Sequence, residues 1–355
     1  MAVEVSPRPI DLAIRTIPAA WFRPDPRVYW ADLLASAAVG WAALGTAAAA
    51  PGPIARAALL IVAAFALYRA VLFIHEITHL TLRDVPAFRA GWNAIVGVPL
   101  LLPSFLYEGV HTDHHRQRSY GTPADPEYVP FGRRPPAVIV SYALVSLLLP
   151  VLLAIRFAIV APVSWLVPAV RRVTIERMSS LVINHLYVRH APLDRVAVVE
   201  EVAACLLCWT AIVLWWVGAL SGAVLVCWLI ATGLASAINV VRTLAAHRYD
   251  HDVDHEISMV SQLLDSCTIA PRSGLAGALG AGWRALWAPV GLRYHALHHW
   301  IPSLPYHNLG RAHRRLVETL GPDAPYAATQ HRAISPVVID LFRRAAHSRD
   351  ATRRS

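Results

Sequence analysis

The sequence predicts an all-α integral membrane protein. Two transmembrane helical hairpins give four spans, and interfacial helices and a cytoplasmic helical cap carry the polar residues. Three observations predict this. Of 355 residues, 56% are apolar and 15% charged, against about a quarter charged in a typical soluble domain. The apolar residues gather in runs of about 20, the length at which a helix crosses a bilayer. Arginines stand at the edges of these runs, where positive charge orients a membrane protein.

The composition also excludes two classes. A chain this apolar cannot stay solvated as a disordered segment. Seventeen His, 23 acidic and 32 basic residues need a polar region, so the chain is not made of spans alone. Every basic residue is Arg, and the net charge is +9. These arginines line the apolar runs instead of clustering on a soluble domain, so nucleic acid is not among the expected partners. Membrane lipids are.

Taken in order, residues 1–30 form a polar, Pro- and Arg-bearing N-terminal cytoplasmic segment, unlike a cleaved signal peptide. Residues 31–316 form the membrane domain. Within it Asp32 to Ala50 spans, Pro51-Gly52-Pro53 turns, and Ile54 to Ile74 spans back. Val202 to Ala219 and Ala223 to Leu244 repeat the plan around Leu220-Ser221-Gly222. Ala137 to Val170 is apolar but interrupted by Pro150, Arg156, Pro162 and Pro168. Arginines from Arg8 to Arg27, Arg83 to Arg134 and Arg171 to Arg195 all fall on one side only if this stretch enters and leaves on the same face. It is therefore expected to be an interfacial or re-entrant helical pair, and Trp92 to Phe105 to lie along the interface. Residues 317–355 form a C-terminal cytoplasmic tail, amphipathic near Val337 to Ala346. Cys205 and Cys208 have CxxC spacing but sit inside an apolar run, where small core residues are the expected reading.

This topology puts the ends of spans two and four, the 107–130 loop and the C-terminal third on one side. The histidines concentrate there. His75 and His79 form H-E-I-T-H, His111, His114 and His115 form H-T-D-H-H, and His295, His298 and His299 form H-A-L-H-H. Spacings of three and four bring imidazoles onto one helix face. Eight histidines in three groups exceed what packing needs, because each buried ring must find partners. Four ligands suit one tetrahedral ion, so eight point to two. A ninth candidate, His247, stands at the end of span four, with His251 and His255 competing for the role. H-E-x-x-H alone also reads as a zinc-protease signature with Glu76 as general base, but that leaves two H-x-x-H-H groups unexplained. A metal transporter would carry its ligands at mid-membrane, where this chain has no His. Glu76, Asp113, Asp125, Asp250, Asp254 and Asp265 are candidates to orient imidazoles, with Glu76 and Asp113 preferred for lying inside the boxes. His307 and His313 follow the third box and are candidates for the same task.

Three boxes in this order, held on one side by two hairpins, resemble the membrane fatty acid desaturase superfamily of desaturases, hydroxylases and ketolases, in its bacterial form. The resemblance covers Asp32 to Leu316. It extends to Y-G-T-P-A-D-P-E-Y (Tyr120 to Tyr128), R-T-L-A-A-H-R-Y (Arg242 to Tyr249) and H-H-x-x-P-S-L-P-Y-H-N-L (His298 to Leu309). It implies two iron ions, dioxygen as co-substrate, and oxidation of an unactivated C–H bond in a lipid chain. Carried over, His75, His79, His111, His114, His115, His295, His298 and His299 are ligands, and His247 matches the extra ligand near the fourth span. Three residues between the first pair of histidines resemble acyl-lipid desaturases more than acyl-CoA ones. Desaturation of a lipid acyl chain is the first expectation, with hydroxylation or ketone formation as the alternative and an intramembrane zinc protease as the second alternative. Electrons are expected from an external carrier such as ferredoxin, with Arg311, Arg314 and Arg315 available to dock it. The expected location is a bacterial cytoplasmic membrane, with the site on the cytoplasmic side.

Overall fold

The computed structural model describes residues 13–270 and 275–354. Residues 1–12 of the N-terminal segment, Arg8 among them, and Ser355 lie outside the described residues. The regular structure of the described chain is almost all helix, and the chain divides into two compact units. Of the described residues, one unit comprises 26–113 and 140–240; the other comprises the rest, from 13–25, 114–139 and beyond 240.

The first unit contains the apolar hairpins. Helices α1 (Pro26–Ala49) and α2 (Pro53–Val71) run back to back. Pro53 opens α2 at a position whose N–H would have no helical partner. Arg56 donates to the carbonyls of Ala47 and Ala50 at 3.2 and 2.8 Å, satisfying orphan acceptors at the end of α1. The buried stripes are made mostly of small residues, Ala37, Gly40, Ala43 and Ala47 on α1 and Ala63 and Ala64 beside Leu67 on α2. A Cβ on Gly40 would fall 2.7 Å from the Leu67 side chain, so hydrogen there permits close approach. The short α3 (Phe73–Ile77) continues α2 and carries the first histidine box. Then come α4 (Phe88–Trp92), a π turn at Asn93–Gly97 and a 3₁₀ turn at Ser104–Leu106, none long enough to cross a bilayer. They lead into α5 (Val110–His115), which carries the second box.

Among the described residues five helices are long and apolar enough to cross a membrane, one more than the four expected. The addition is Pro136–Leu166, a single run of 31 residues where a broken pair was expected. It consists of α6 (Pro136–Ile155), a π turn at Arg156–Val160 and α7 (Ala161–Leu166). Pro162 does not break it, for a local reason. The π turn sends the Ala161 N–H to the Arg156 carbonyl, and the Ala158 carbonyl that Pro162 cannot serve takes the Trp209 indole N–H at 3.1 Å. The break comes at Val167, extended ahead of Pro168, which opens α8 (Pro168–Met178).

The second hairpin is α9 (Arg195–Trp216), capped by Asp194 accepting the Ala197 N–H at 2.7 Å, and α10 (Gly222–Leu244). Two adjacent buried carboxylates on α9 tie this unit together. Glu200 accepts from Arg89, Asn93, Ser104 and the Phe105 N–H at 3.0–3.2 Å, which fixes the approach to α5. Glu201 accepts from Arg156 at 2.9 Å and Arg171 at 2.6 Å. Cys205, Cys208 and Cys227 are buried free thiols, as is Cys267.

The second unit is built on helices α11 (Met259–Asp265), α12 (Leu275–Trp287), α13 (His295–Trp300), α14 (Tyr306–Leu320), α15 (Pro325–Ala328) and α16 (Ile334–Arg354). Its main core gathers Ala13, Ile17, Leu297, Trp300, Leu309, Leu316 and Tyr326. Strands β1 (Thr268–Ile269) and β2 (Gln330–His331) pair in parallel. The amphipathic stretch of the tail is the first part of α16, which buries Val337, Leu341 and Ala345 at four-residue intervals.

Replacing Glu201 with Ala strands two arginines, one of them, Arg156, only 2% exposed. Loss of one partner of a buried pair costs about 3–5 kcal/mol. The expected outcome is a large drop in the thermal midpoint of the detergent-solubilised protein, partly reversed by adding Arg156→Leu. Equal melting of Glu201→Ala and wild type would show that the cluster is not structural.

Candidate metal centre

Each unit brings histidines together. In the first, the last turn of the α2–α3 run projects His75 and His79 one helical turn apart, and α5 adds His111. Their ring centroids lie 5.2, 4.4 and 5.0 Å from one another. His75 is 4% exposed and His111 is 1% exposed, and burial pulls the His79 pKa down to about 4. The Tyr107 ring stacks on His111, with its hydroxyl 2.9 Å from Nδ1.

In the second unit His114, His247, His295 and His299 converge, each offering a ring nitrogen within 4.8 Å of the others. All four are buried. Their convergence is built by backbone pairing. His247 forms a β-bridge with Ser266, the Cys267 N–H donates to the Ala246 carbonyl at 2.7 Å, and the Ala296 N–H donates to the Cys267 carbonyl at 3.2 Å. Residues 266–267 thus clamp the end of α10 to the start of α13. Along α13, Ala296, Leu297 and Trp300 enter the apolar core, leaving His295, His298 and His299 for the opposite side. His298 Nε2 stands 3.0 Å from His115 Nε2, and the His115 ring stacks on His299 at 4.3 Å.

The donor chemistry of this cluster fits a cation. His295 Nε2 lies 2.9 Å from His247 Nε2 and 3.1 Å from His299 Nε2. An imidazole nitrogen is either one donor or one acceptor, so His295 Nε2 can satisfy only one of these contacts. A metal ion that accepts the lone pairs removes the conflict. Protonation states agree. Burial holds the pKa values of His247 and His299 well below the ordinary range, keeping them in the neutral, ligating form. At His114 burial opposes the charge, but Asp125, 2.8 Å from Nδ1, more than offsets it and raises the pKa. A carboxylate there only accepts, so Nδ1 carries the proton and Nε2 is the atom left for a metal.

Every histidine of the three boxes therefore falls in one of these groupings. His247 joins them, while His251 and His255 do not. The His251 backbone N–H donates to the Tyr128 hydroxyl at 3.0 Å, and His255 is exposed beside Asp254. The preferred orienting residues have other partners. Glu76 accepts the Tyr29 hydroxyl at 2.6 Å, with its second oxygen 3.6 Å from His75 Nδ1. Asp113 accepts the Tyr187 hydroxyl at 2.9 Å. His307 accepts the Asp25 N–H at 3.2 Å and is in neither grouping. His313 bonds Tyr326 at 2.7 Å in the core, where burial, with Arg293 and Arg314, lowers its pKa to about 4. Groups that meet the clustered imidazoles include Asp125, Tyr107, Tyr120, Ser266 and Gln262. Tyr120 lies 2.8 Å from His247 Nδ1 and Gln262 lies 3.2 Å from His299 Nδ1. Asp125 was among the candidates, as was Asp265, whose Oδ2 lies 3.9 Å from His247 Nδ1; no spacing in the sequence links Tyr120 to His247 or Gln262 to His299.

Comparison with known proteins gives the family. The family model described as "Fatty acid desaturase" matches residues 50–330. A ceramide hydroxylase of Caulobacter vibrioides (strain NA1000 / CB15N) is 42% identical over 323 residues, 90% of each chain. The family consists of oxidoreductases of lipid metabolism, not of H-E-x-x-H zinc proteases. This chain, with its histidine boxes inside the matched region, belongs to the fatty acid desaturase family.

Proposed function

We propose that this protein is a dioxygen-dependent diiron oxidase that hydroxylates a lipid of the ceramide class. The observation that carries the reading is the 42% identity, across 90% of both chains, to a ceramide hydroxylase. Formation of a double bond in a lipid acyl chain, the first expectation from the sequence, is the second reading and draws on the family match.

Nine imidazoles divide between two ions. His114, His247, His295 and His299 would hold one. The family resemblance assigns the remaining box histidines, His75, His79, His111, His115 and His298, to the other ion. When bound, iron supplies the redox chemistry that zinc lacks. Hydroxylation consumes dioxygen, two electrons and two protons, and yields the alcohol and water. The chain itself must hold one methylene in register with the site, since misplacement by about 1 Å can cost about a hundredfold. Asp125 has the further task of keeping His114 turned through Nε2. An acidic carrier such as a ferredoxin would deliver the electrons, and Arg311, Arg314 and Arg315 are exposed on α14 to receive it. The enzyme would sit in a bacterial cytoplasmic membrane with this site on the cytoplasmic side.

Two measurements test the proposal. Iron-loaded protein supplied with ferredoxin, its reductase and ceramide should give a product heavier by one oxygen; a product lighter by two hydrogens selects the desaturase reading, and an unchanged lipid contradicts both. Chelation should lower the thermal midpoint and ferrous iron should restore it, because a ligand held only by the native state stabilises by about 2.7 kcal/mol at a hundredfold excess over Kd. His295→Ala should lose most of this difference.

A further inference from the structure

His247 is held from behind by groups whose own protons are already committed. The Tyr120 hydroxyl stands 2.8 Å from His247 Nδ1 and donates to Asp265 Oδ2 at 2.8 Å. The Ser266 hydroxyl stands 3.3 Å from the same Nδ1 and donates to the Gln262 carbonyl at 3.0 Å. Each hydroxyl has one proton. With both protons directed elsewhere, both oxygens turn lone pairs toward Nδ1, and Nδ1 must be the donor. The order of donation is therefore His247 to Tyr120 to Asp265, and it starts from a carboxylate that can only accept.

Asp265 is itself fixed. It is 3% exposed, and its other oxygen, Oδ1, accepts the Asp250 N–H at 3.2 Å. Tyr120 is fully buried, and its ring stacks on His114 at 5.3 Å and meets His299 edge-on at 5.5 Å. The Tyr128 hydroxyl takes the His251 N–H at 3.0 Å, and its ring lies 5.3 Å from the Tyr120 ring. Both Asp265 and Tyr120 are thus held by contacts outside the relay.

We propose that Asp265 and Tyr120 are positioning residues that set the tautomer of His247, holding the proton on Nδ1 so that Nε2 is the metal-binding atom. The inference rests on the two-ion reading above. It makes a prediction that ordinary packing does not. In Asp265→Asn the amide oxygen stays on the Asp250 N–H, and the amide NH₂ takes the place of Oδ2. The amide now donates to the Tyr120 oxygen, the Tyr120 proton turns to His247 Nδ1, and the imidazole proton is driven to Nε2, where it blocks the metal. In Tyr120→Phe no hydroxyl is left at that place to be turned into a donor toward Nδ1, and Ser266 still accepts from it. The single amide substitution should therefore be the more damaging, and adding Tyr120→Phe to it should repair the defect.

The test is a ferrous iron titration of the apo full-length protein, without dioxygen, reading ions bound per chain and the affinity of each. Wild type should bind two. Asp265→Asn should weaken one ion about 10- to 100-fold, the usual range for loss of an orienting partner, and leave the other intact. Tyr120→Phe should weaken it less, and the double variant should bind more tightly than Asp265→Asn alone. A double variant as weak as or weaker than Asp265→Asn overturns the inference, as does an Asp265→Asn protein with wild-type affinity. Wild type binding fewer than two ions overturns the two-ion reading instead. Should Asp265→Asn not fold, ¹⁵N-histidine spectra of the apo wild type, with His247 assigned through His247→Gln, decide the matter. A proton on Nδ1 supports the relay, and a proton on Nε2 refutes it.

Discussion

The structure depends on crowding imidazole lone pairs into a small buried space. His247, His295 and His299 bring their Nε2 atoms to about 3 Å contacts that hydrogen bonding alone cannot satisfy together. Burial removes the option of charging the rings to relieve the conflict at His247 and His299. Such a cluster is costly without a cation and favourable with one. Much of the second unit serves to hold it. The 266–267 segment stitches α10 to α13, Asp125 grips His114 from behind, and an apolar core takes the opposite side of α13.

The first unit solves a different problem, that of carrying polar groups inside an apolar helical framework. It does so by satisfying each one. Glu200 gathers Arg89, Asn93, Ser104 and a backbone N–H, and Glu201 gathers Arg156 and Arg171. The first network anchors the turn that leads into α5, so the ionic interior and the orientation of the second histidine box are linked.

What was legible in the sequence follows from locality. The three boxes are periodic at three and four residues, so their shared faces follow from helix geometry. The hairpin helices show in composition because each is one continuous apolar run. Pro136–Leu166 was misread as a broken pair because its rescue is not local: Trp209, on another helix, serves the carbonyl that Pro162 leaves open. Asp125 and Asp265 stood among the candidates to orient imidazoles, but the preference went to Glu76 and Asp113, for the same reason. Asp113 lies inside a box, but one residue from His114 on a helix turns it about 100° away, toward Tyr187. Asp125 reaches His114 from a loop eleven residues on, and Tyr120 reaches His247 across 127 residues. Contacts of that kind are fixed by the fold and leave no periodic trace.

Iron-edge X-ray absorption of protein purified with its native metal addresses the central claim most directly. The account predicts two irons per chain, each surrounded by nitrogen with the multiple-scattering pattern of imidazole. Zinc in place of iron, a single ion per chain, or iron in an oxygen-dominated shell would contradict it.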